Sequence, residues 1–273
     1  MTGRKLDDLF QWLGIAMLAI IACFLLVPII VTVVMAFDAR PYLGSLPPPA
    51  LSTRWFQKFF SDDYFLRGLG TSVELAILAV AISLGVGVAT AVALDRLSPR
   101  AKEALSTLFL SPLIVPPVVI GFALLLFLSG IGVVSGFARL LCGHIIITVP
   151  YTIRATLAGL SGIDSSLTEA ALSLGARERD AFWDITFPLA RTGIFCGAIF
   201  ACAISMDDVA VSIMLTDAHT FTLPVALISS MRANFDLTIA AASVLLMLVT
   251  LALILVLEKL VGLHRVIGQG VFR

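Results

Sequence analysis

The chain has 273 residues, 59% of them hydrophobic and 13% charged, against roughly 45–50% and about 25% in an ordinary soluble domain. Its 18 basic and 18 acidic residues cancel, which excludes a basic field for nucleic acid and an acidic tail as organising features. The apolar excess has to be buried in lipid, so the sequence reads as an all-α membrane protein built as one transmembrane domain over residues 1–273.

Six windows approach or exceed the ~20 residues that cross ~30 Å of hydrocarbon as a helix: about 12–37, 69–94, 105–129, 133–153, 192–215 and 237–258. The first is longer than a signal-peptide core and ends in Phe37-Asp38-Ala39-Arg40 without a small-x-small site, so it is expected to stay as a span. With the N-terminus inside, twelve basic residues fall on inside segments: Arg4, Lys5, Arg96, Arg100, Lys102, Arg154, Arg177, Arg179, Arg191, Lys259, Arg265 and Arg273. Six, namely Arg40, Arg54, Lys58, Arg67, Arg139 and Arg232, fall outside. The positive-inside rule therefore predicts both termini in the cytoplasm. Cys23, Cys142, Cys196 and Cys202 lie in apolar spans, where a thiol behaves as a small hydrophobe, and they suggest neither disulfides nor a metal site.

The loop 38–67 carries Pro41, Pro47, Pro48 and Pro49, which exclude a regular helix from its first half. Its second half, with Trp55, Phe56, Phe59 and Phe60 between Arg54 and Lys58, fits a short amphipathic helix at the membrane interface. In span three, Pro112, Pro116 and Pro117 predict a kink or break. Because non-helical backbone at membrane depth needs protein or water around it, this span is expected inside the bundle.

Residues 158–190 hold Asp164, Glu169, Arg177, Glu178, Arg179, Asp180 and Asp184 and cannot be a span. Ser166-Leu167-Thr168-Glu169 fits a capping box. A short helix should follow and end at Gly175 in the left-handed conformation, and a second helix should run from about Arg177 to Phe187, closed by Pro188.

This segment resembles a known signature. Glu169-Ala170-Ala171, three residues, Gly175, nine residues, Ile185, one residue, then Phe187-Pro188 is similar to the E-A-A-x3-G-x9-I-x-L-P motif of permease subunits in binding-protein-dependent ATP-binding-cassette importers, with Phe187 in the Leu position. The resemblance covers roughly residues 70–260 and takes in Pro112, Pro116-Pro117 with Gly121, and Pro150-Tyr151. It implies a type I importer permease fold in which Glu169, Ala170, Ala171, Gly175, Ile185 and Pro188 form a cytoplasmic coupling helix-turn-helix that docks on an ATPase. It further implies two such ATPase subunits, a second homologous permease and an external substrate-binding protein, in a bacterial inner membrane. The chain has no G-x-x-x-x-G-K-[ST] loop, so ATP and its magnesium are expected on the ATPase subunits and no cofactor or catalysis on this chain.

Span five adds Ser205-Met206-Asp207-Asp208-Val209-Ala210-Val211-Ser212, similar to the corresponding stretch of spermidine/putrescine importer permeases. Two carboxylates in a span cost ~2.5–3.5 kcal/mol each on insertion scales and mark a functional site by default. Adjacent helical residues diverge by about 100°, whereas Ser205, Asp208, Ser212 and Thr216 recur at three- and four-residue spacing, so Asp208 is expected to line a polar pathway with Asp207 beside it. Measured from Ile194, both sit ~20 Å into the span. Such carboxylates would attract a cation, and a polyamine fits. The structural alternative is an aspartate that caps a helix or pairs with a neighbouring span through Arg139 or Arg232. Glu74 is expected at a subunit interface or a headgroup, and His144 in an interhelical hydrogen bond. Asp217, His219 and Asp236 lack metal-ligand spacing. Two other readings of the pathway are an importer permease for another small solute and an ion-coupled carrier acting alone.

Overall fold

The computed structural model describes residues 2–42, 44–233 and 235–261. Arg265 and Arg273, counted above among the inside charges, lie outside the described residues. In chain order the helices are α1 (Thr2–Ala36), α2 (Arg54–Phe60), α3 (Asp63–Asp95), α4 (Pro99–Leu110), α5 (Pro117–Gly130), α6 (Gly136–Leu160), α7 (Ser165–Ser173), α8 (Glu178–Ala181), α9 (Phe187–Asp207), α10 (Ser212–Leu215), α11 (Leu223–Ala233) and α12 (Thr238–Val261). Among the described residues, five helical stretches are long and apolar enough to cross a membrane: Phe10–Ala36, Asp63–Asp95, Gly136–Leu160, Glu178–Asp207 and Thr238–Lys259. A sixth span exists if α4 and α5 are counted as one, bent by 93° between Leu113 and Pro117.

Two compact units emerge, one made of the chain up to Asp63 with Ser229–Leu245, the other of Tyr64–Ile228 with the chain from Leu246 on. In the first, Met35 and Ala36 pack with Trp55, Leu237, Ala241 and Val244. The expected aromatic helix is there as α2, anchored by Trp55 Nε1–H donating to the Asp38 carbonyl at 2.7 Å. Asp38 is buried, and its carboxylate accepts from the backbone and side chain of Arg40, both at 3.0 Å. The Arg40 guanidinium holds that carboxyl below the ordinary aspartate value, against the opposing effect of burial.

In the second unit α3 is the central post. Its Ala76 and Val80 meet Ala198, Ala201 and Met206 of α9 with the C-terminal half of α12, and its Leu75 joins Leu140 and Ile147 of α6 and Leu215 of α10. Towards the other end, Ala91 packs with Leu160, Ala190 and Ile194. The α6–α9 contact is close because both helices are small-faced there: a Cβ on Gly159 would lie 3.0 Å from the Ala190 carbonyl oxygen and 3.0 Å from Gly193 Cα. Small residues let backbones approach where lipid supplies no hydrophobic drive to pack helices together.

Three expectations are corrected. Span three does break at its prolines, but it does not lie inside this chain's bundle: α4 buries no residue and α5 only Gly121 and Leu128. Its unpaired backbone is accommodated by the other condition, a polar cleft, described below. The segment after Gly175 is not a helix closed by Pro188; Glu178–Asp207 is one 30-residue helical stretch. It widens to a π turn over Phe182–Thr186, which includes Asp184, the residue four before Pro188 whose carbonyl the ring would strike in a regular helix. Span five, finally, ends at Asp207, eight residues before the expected limit at 215, with Asp208 extended at φ −66° and ψ 125°. Beyond it α10 takes the last residues of the expected span, α11 occupies part of what reads in sequence as a loop, and Leu223, Pro224, Val225, Ala226 and Leu227 of α11 are buried.

Replacing Gly193 with Leu should force α6 and α9 apart. A loss of about 1–3 kcal/mol is expected for an overpacked contact, readable as a lowered melting temperature of the detergent-solubilised protein, with Gly70→Leu, which has open space around it, as the silent control.

Candidate functional site

The break between α9 and α10 is where the span-five residues meet. Asp208 accepts from the Ser212 amide at 2.8 Å, from the Ser212 hydroxyl at 2.8 Å and, more weakly, from the Val211 amide at 3.4 Å. It thus satisfies the free amides that open α10, as a helix-capping carboxylate does. Asp207, the last residue of α9, is exposed and forms no hydrogen bond or ion pair among the described residues. Ser205 and Ser212 are buried, and both contact His144 of α6: Nδ1 lies 2.7 Å from Ser205 Oγ and Nε2 lies 3.0 Å from Ser212 Oγ.

The helical face that the sequence suggested for Ser205, Asp208 and Ser212 does not exist, because the helix stops between them. The three are gathered instead by a capped turn and a histidine. An acidic residue three or four positions ahead of the amides of an apolar run is a cap signal, and that reading was legible in Asp208-Val209-Ala210-Val211-Ser212. Arg139 pairs with neither carboxylate; its guanidinium lies 3.7 Å from Asp217. Asp217 also accepts from the amides of His219 at 2.9 Å and Thr220 at 2.7 Å, and these bonds, the His219 one first, hold its carboxyl below the usual range. Glu74 is exposed.

Both span-five carboxylates open onto a cleft of about 350 Å³ whose other walls are the break of span three (Pro112, Val115, Pro117) and Tyr151, which follows the helix-interior Pro150 of α6. Two interruptions of regular helix therefore face one space. Tyr151 supplies an aromatic face, suited to a cation, and was missed as a site residue, since a lone tyrosine after a proline carries no signal of its own. Among the described residues, no lysine, arginine or histidine lines the cleft.

The helix-turn-helix between α6 and α9 is a second candidate element. Helix α7 is capped by Asp164, which accepts from the Ser166 amide at 2.9 Å; that bond also lowers the Asp164 carboxyl below its usual value. The expected capping box is thereby corrected. A carboxylate at a helix N-terminus outcompetes a serine hydroxyl there by adding charge to the hydrogen bond, and it leaves Glu169 a full turn inside the helix, exposed and unbonded among the described residues. At the other end Gly175, at φ +92°, donates to the Leu172 carbonyl and Ala176 to the Ala171 carbonyl, each at 3.0 Å, the paired bonds of a Schellman turn. Ala170 and Pro188 are exposed, Ala171 and Ile185 half-buried. Leu174 is 89% exposed and Trp183 52%, so the turn presents apolar side chains to its surroundings. Glu169 and Leu172 line a groove of about 480 Å³ with Arg96, whose guanidinium bonds Glu178 at 2.9 Å.

A helical bundle with five or six apolar crossings, an acidic cleft at facing helix breaks and an exposed helix-turn-helix defines the membrane subunit of a transporter. The model of the family described as binding-protein-dependent transport system inner membrane component matches residues 81–263, and the chain belongs to that family. It is therefore a multi-pass, non-catalytic permease subunit of an ATP-driven importer, whose ATPase is a separate subunit, and a carrier acting alone is set aside. The chain is 30% identical over 246 residues to the spermidine/putrescine transport system permease protein PotC of Haemophilus influenzae, covering 90% of this chain and 95% of that one. Its fold matches a bacterial ABC transporter involved in the import of the acidic polysaccharide alginate, at TM-score 0.73 and 18% identity, covering 95% of this chain and 98% of the other. A second structure of such an alginate transporter, in complex with an alginate pentasaccharide-bound periplasmic protein, matches at TM-score 0.73 and 16% identity over 93% and 94% of the two chains.

Asp208→Ala should cost about 0.5–2 kcal/mol, the usual loss when a capping side chain is removed, while Asp207→Ala, which breaks no bond, should leave stability unchanged. Thermal unfolding of the two purified variants beside the wild type checks the contrast.

Proposed function

We propose that the chain forms half of the translocation pathway of a polyamine importer, with Asp207 and Asp208 as the cation-attracting carboxylates of the cleft. The carrying observation is a space bounded by two acidic side chains and a tyrosine ring with, among the described residues, no basic side chain on its walls. An anionic solute would be repelled there, whereas a protonated amine replaces part of its lost hydration by a carboxylate and an aromatic face. Asp207 is the stronger contact because its carboxylate is free, and Asp208 contributes charge while capping α10. Ser205 and Ser212 shape this site from behind. The name of the PotC relative supports the same substrate class.

The coupling element is residues 164–188, with Glu169, Ala170, Ala171, Gly175, Ile185 and Pro188 in the surface offered to an ATPase. Support comes from the 89% exposure of Leu174 and from a tightly capped short helix that holds its shape without a tertiary cover. On this reading both termini and the coupling element are cytoplasmic, the complex holds a second homologous permease and two ATPase subunits that bind ATP and magnesium, and an external binding protein delivers the solute, as a periplasmic protein meets the alginate transporter.

In proteoliposomes carrying the whole importer, Asp207→Asn should raise the KM for spermidine about ten-fold, the size expected for losing one charged contact, and Asp208→Asn, which keeps an amide oxygen for the cap, should raise it less. Unchanged uptake by both variants, or uptake of a dianion in preference to spermidine, would remove the cation reading. Separately, Glu169→Lys or Gly175→Pro should abolish stimulation of ATPase activity by the loaded binding protein; intact stimulation in both would remove the coupling assignment.

A further inference from the structure

The bonding around His144 has a direction. Ser212 Oγ donates to Asp208 Oδ2 at 2.8 Å, so its hydrogen is used and it can meet the His144 Nε2, 3.0 Å away, only as acceptor. Nε2 therefore carries a proton. In the neutral ring, the form that full burial favours, Nδ1 then accepts the Ser205 hydroxyl proton, Ser205 Oγ being buried and 2.7 Å away. The result is a one-way chain, Ser205 O–H to Nδ1, Nε2–H to Ser212 Oγ, Ser212 O–H to the Asp208 carboxylate.

The geometry has a second consequence. Ser205 lies in the last turn of α9 and Ser212 is the first residue of α10, so one imidazole from α6 bridges the two sides of the break that holds Asp207 and Asp208. The residue is held in place: it is fully buried, its backbone carbonyl accepts the Thr148 hydroxyl, 2.6 Å away, and that hydroxyl also meets Ser83 Oγ of α3 at 2.6 Å. Tyr151 and Ile147, which line the cleft, stand seven and three residues on from His144 along the same helix face.

We propose that His144 is a positioning residue for the transport site: through Ser212 it fixes the Asp208 carboxylate and the turn that presents Asp207, and so sets both against Tyr151 on its own helix. The inference rests on the cation site proposed above. His144 touches no solute, so its effect must pass through the carboxylates.

The test is the KM for spermidine in the reconstituted importer, with His144→Asn, His144→Gln, Ser212→Ala and the double variant His144→Asn/Ser212→Ala. A glutamine amide reaches the position of Nε2 and can still donate to Ser212, whereas asparagine reaches only the position of Nδ1. Positioning predicts a KM raised about ten-fold in His144→Asn and Ser212→Ala, with kcat held within about two-fold. It also predicts a KM near wild type in His144→Gln, and no further rise in the double variant. Equal losses in His144→Asn and His144→Gln, additive losses in the double variant, or an unchanged KM in Ser212→Ala would overturn it. Ser212→Ala removes a single oxygen and decides the matter if the histidine variants fail to assemble. Asp207→Asn, run alongside, separates the two ideas: if it too is silent the cation site itself falls, and if it alone raises KM only the role of His144 falls.

Discussion

Hydrocarbon offers no partner for a backbone amide or carbonyl, so a chain that interrupts its helices at membrane depth must satisfy the freed groups locally or turn them towards a polar space. In Tyr64–Ile228 both solutions occur. The break after Leu113 opens onto the cleft, and the break after Asp207 is closed by a carboxylate that takes two of the loose amides. The polar space needed by one interruption is built from the other. A cleft that serves backbone chemistry in this way is also the place where a solute can shed part of its hydration.

The same economy explains the unequal status of two adjacent aspartates. Asp208 is consumed in holding the turn, so its position is well defined but its lone pairs are partly used. Asp207 ends the regular helix one residue earlier, where no amide needs it, and its charge faces the cleft uncommitted. Neither role follows from residue type. Each follows from where the hydrogen-bond ladder stops. His144 ties that stopping point to α6, and Thr148 and Ser83 tie α6 to α3, so the acidic turn is referred to the central post of the unit by side-chain bonds throughout.

At the helix-turn-helix between α6 and α9 the design is the reverse. Asp164 and Gly175 close α7 at both ends with local bonds, and little is buried. A short helix stabilised by its caps holds its shape while leaving Leu174 and Glu169 uncovered, which suits a surface whose energetic return comes from a partner. Continuous helix joins this turn to the cleft, because the π turn lets α8 run through Pro188 into α9 without a break, and α9 ends at Asp207.

By itself the sequence determined where five of the apolar crossings lie, the break at Pro112–Pro117, the glycine turn at Gly175 and the importer-permease family. These are carried by hydropathy, by missing amides and by fixed residue spacing, all of which act over a few residues. Only the tertiary structure decided that Asp164 and not Ser166 caps α7, that Pro188 is absorbed, and that span three stands at the edge of this chain's bundle. It also decided that span five stops at its acidic pair, and that Tyr151 and His144 belong to the same site. The reason is physical: a helix can continue through an aspartate or end at it for a difference of a few kcal/mol. Here the Asp208 cap closes the end, and His144 of α6, a helix some sixty residues away in sequence, bonds a serine on each side of it.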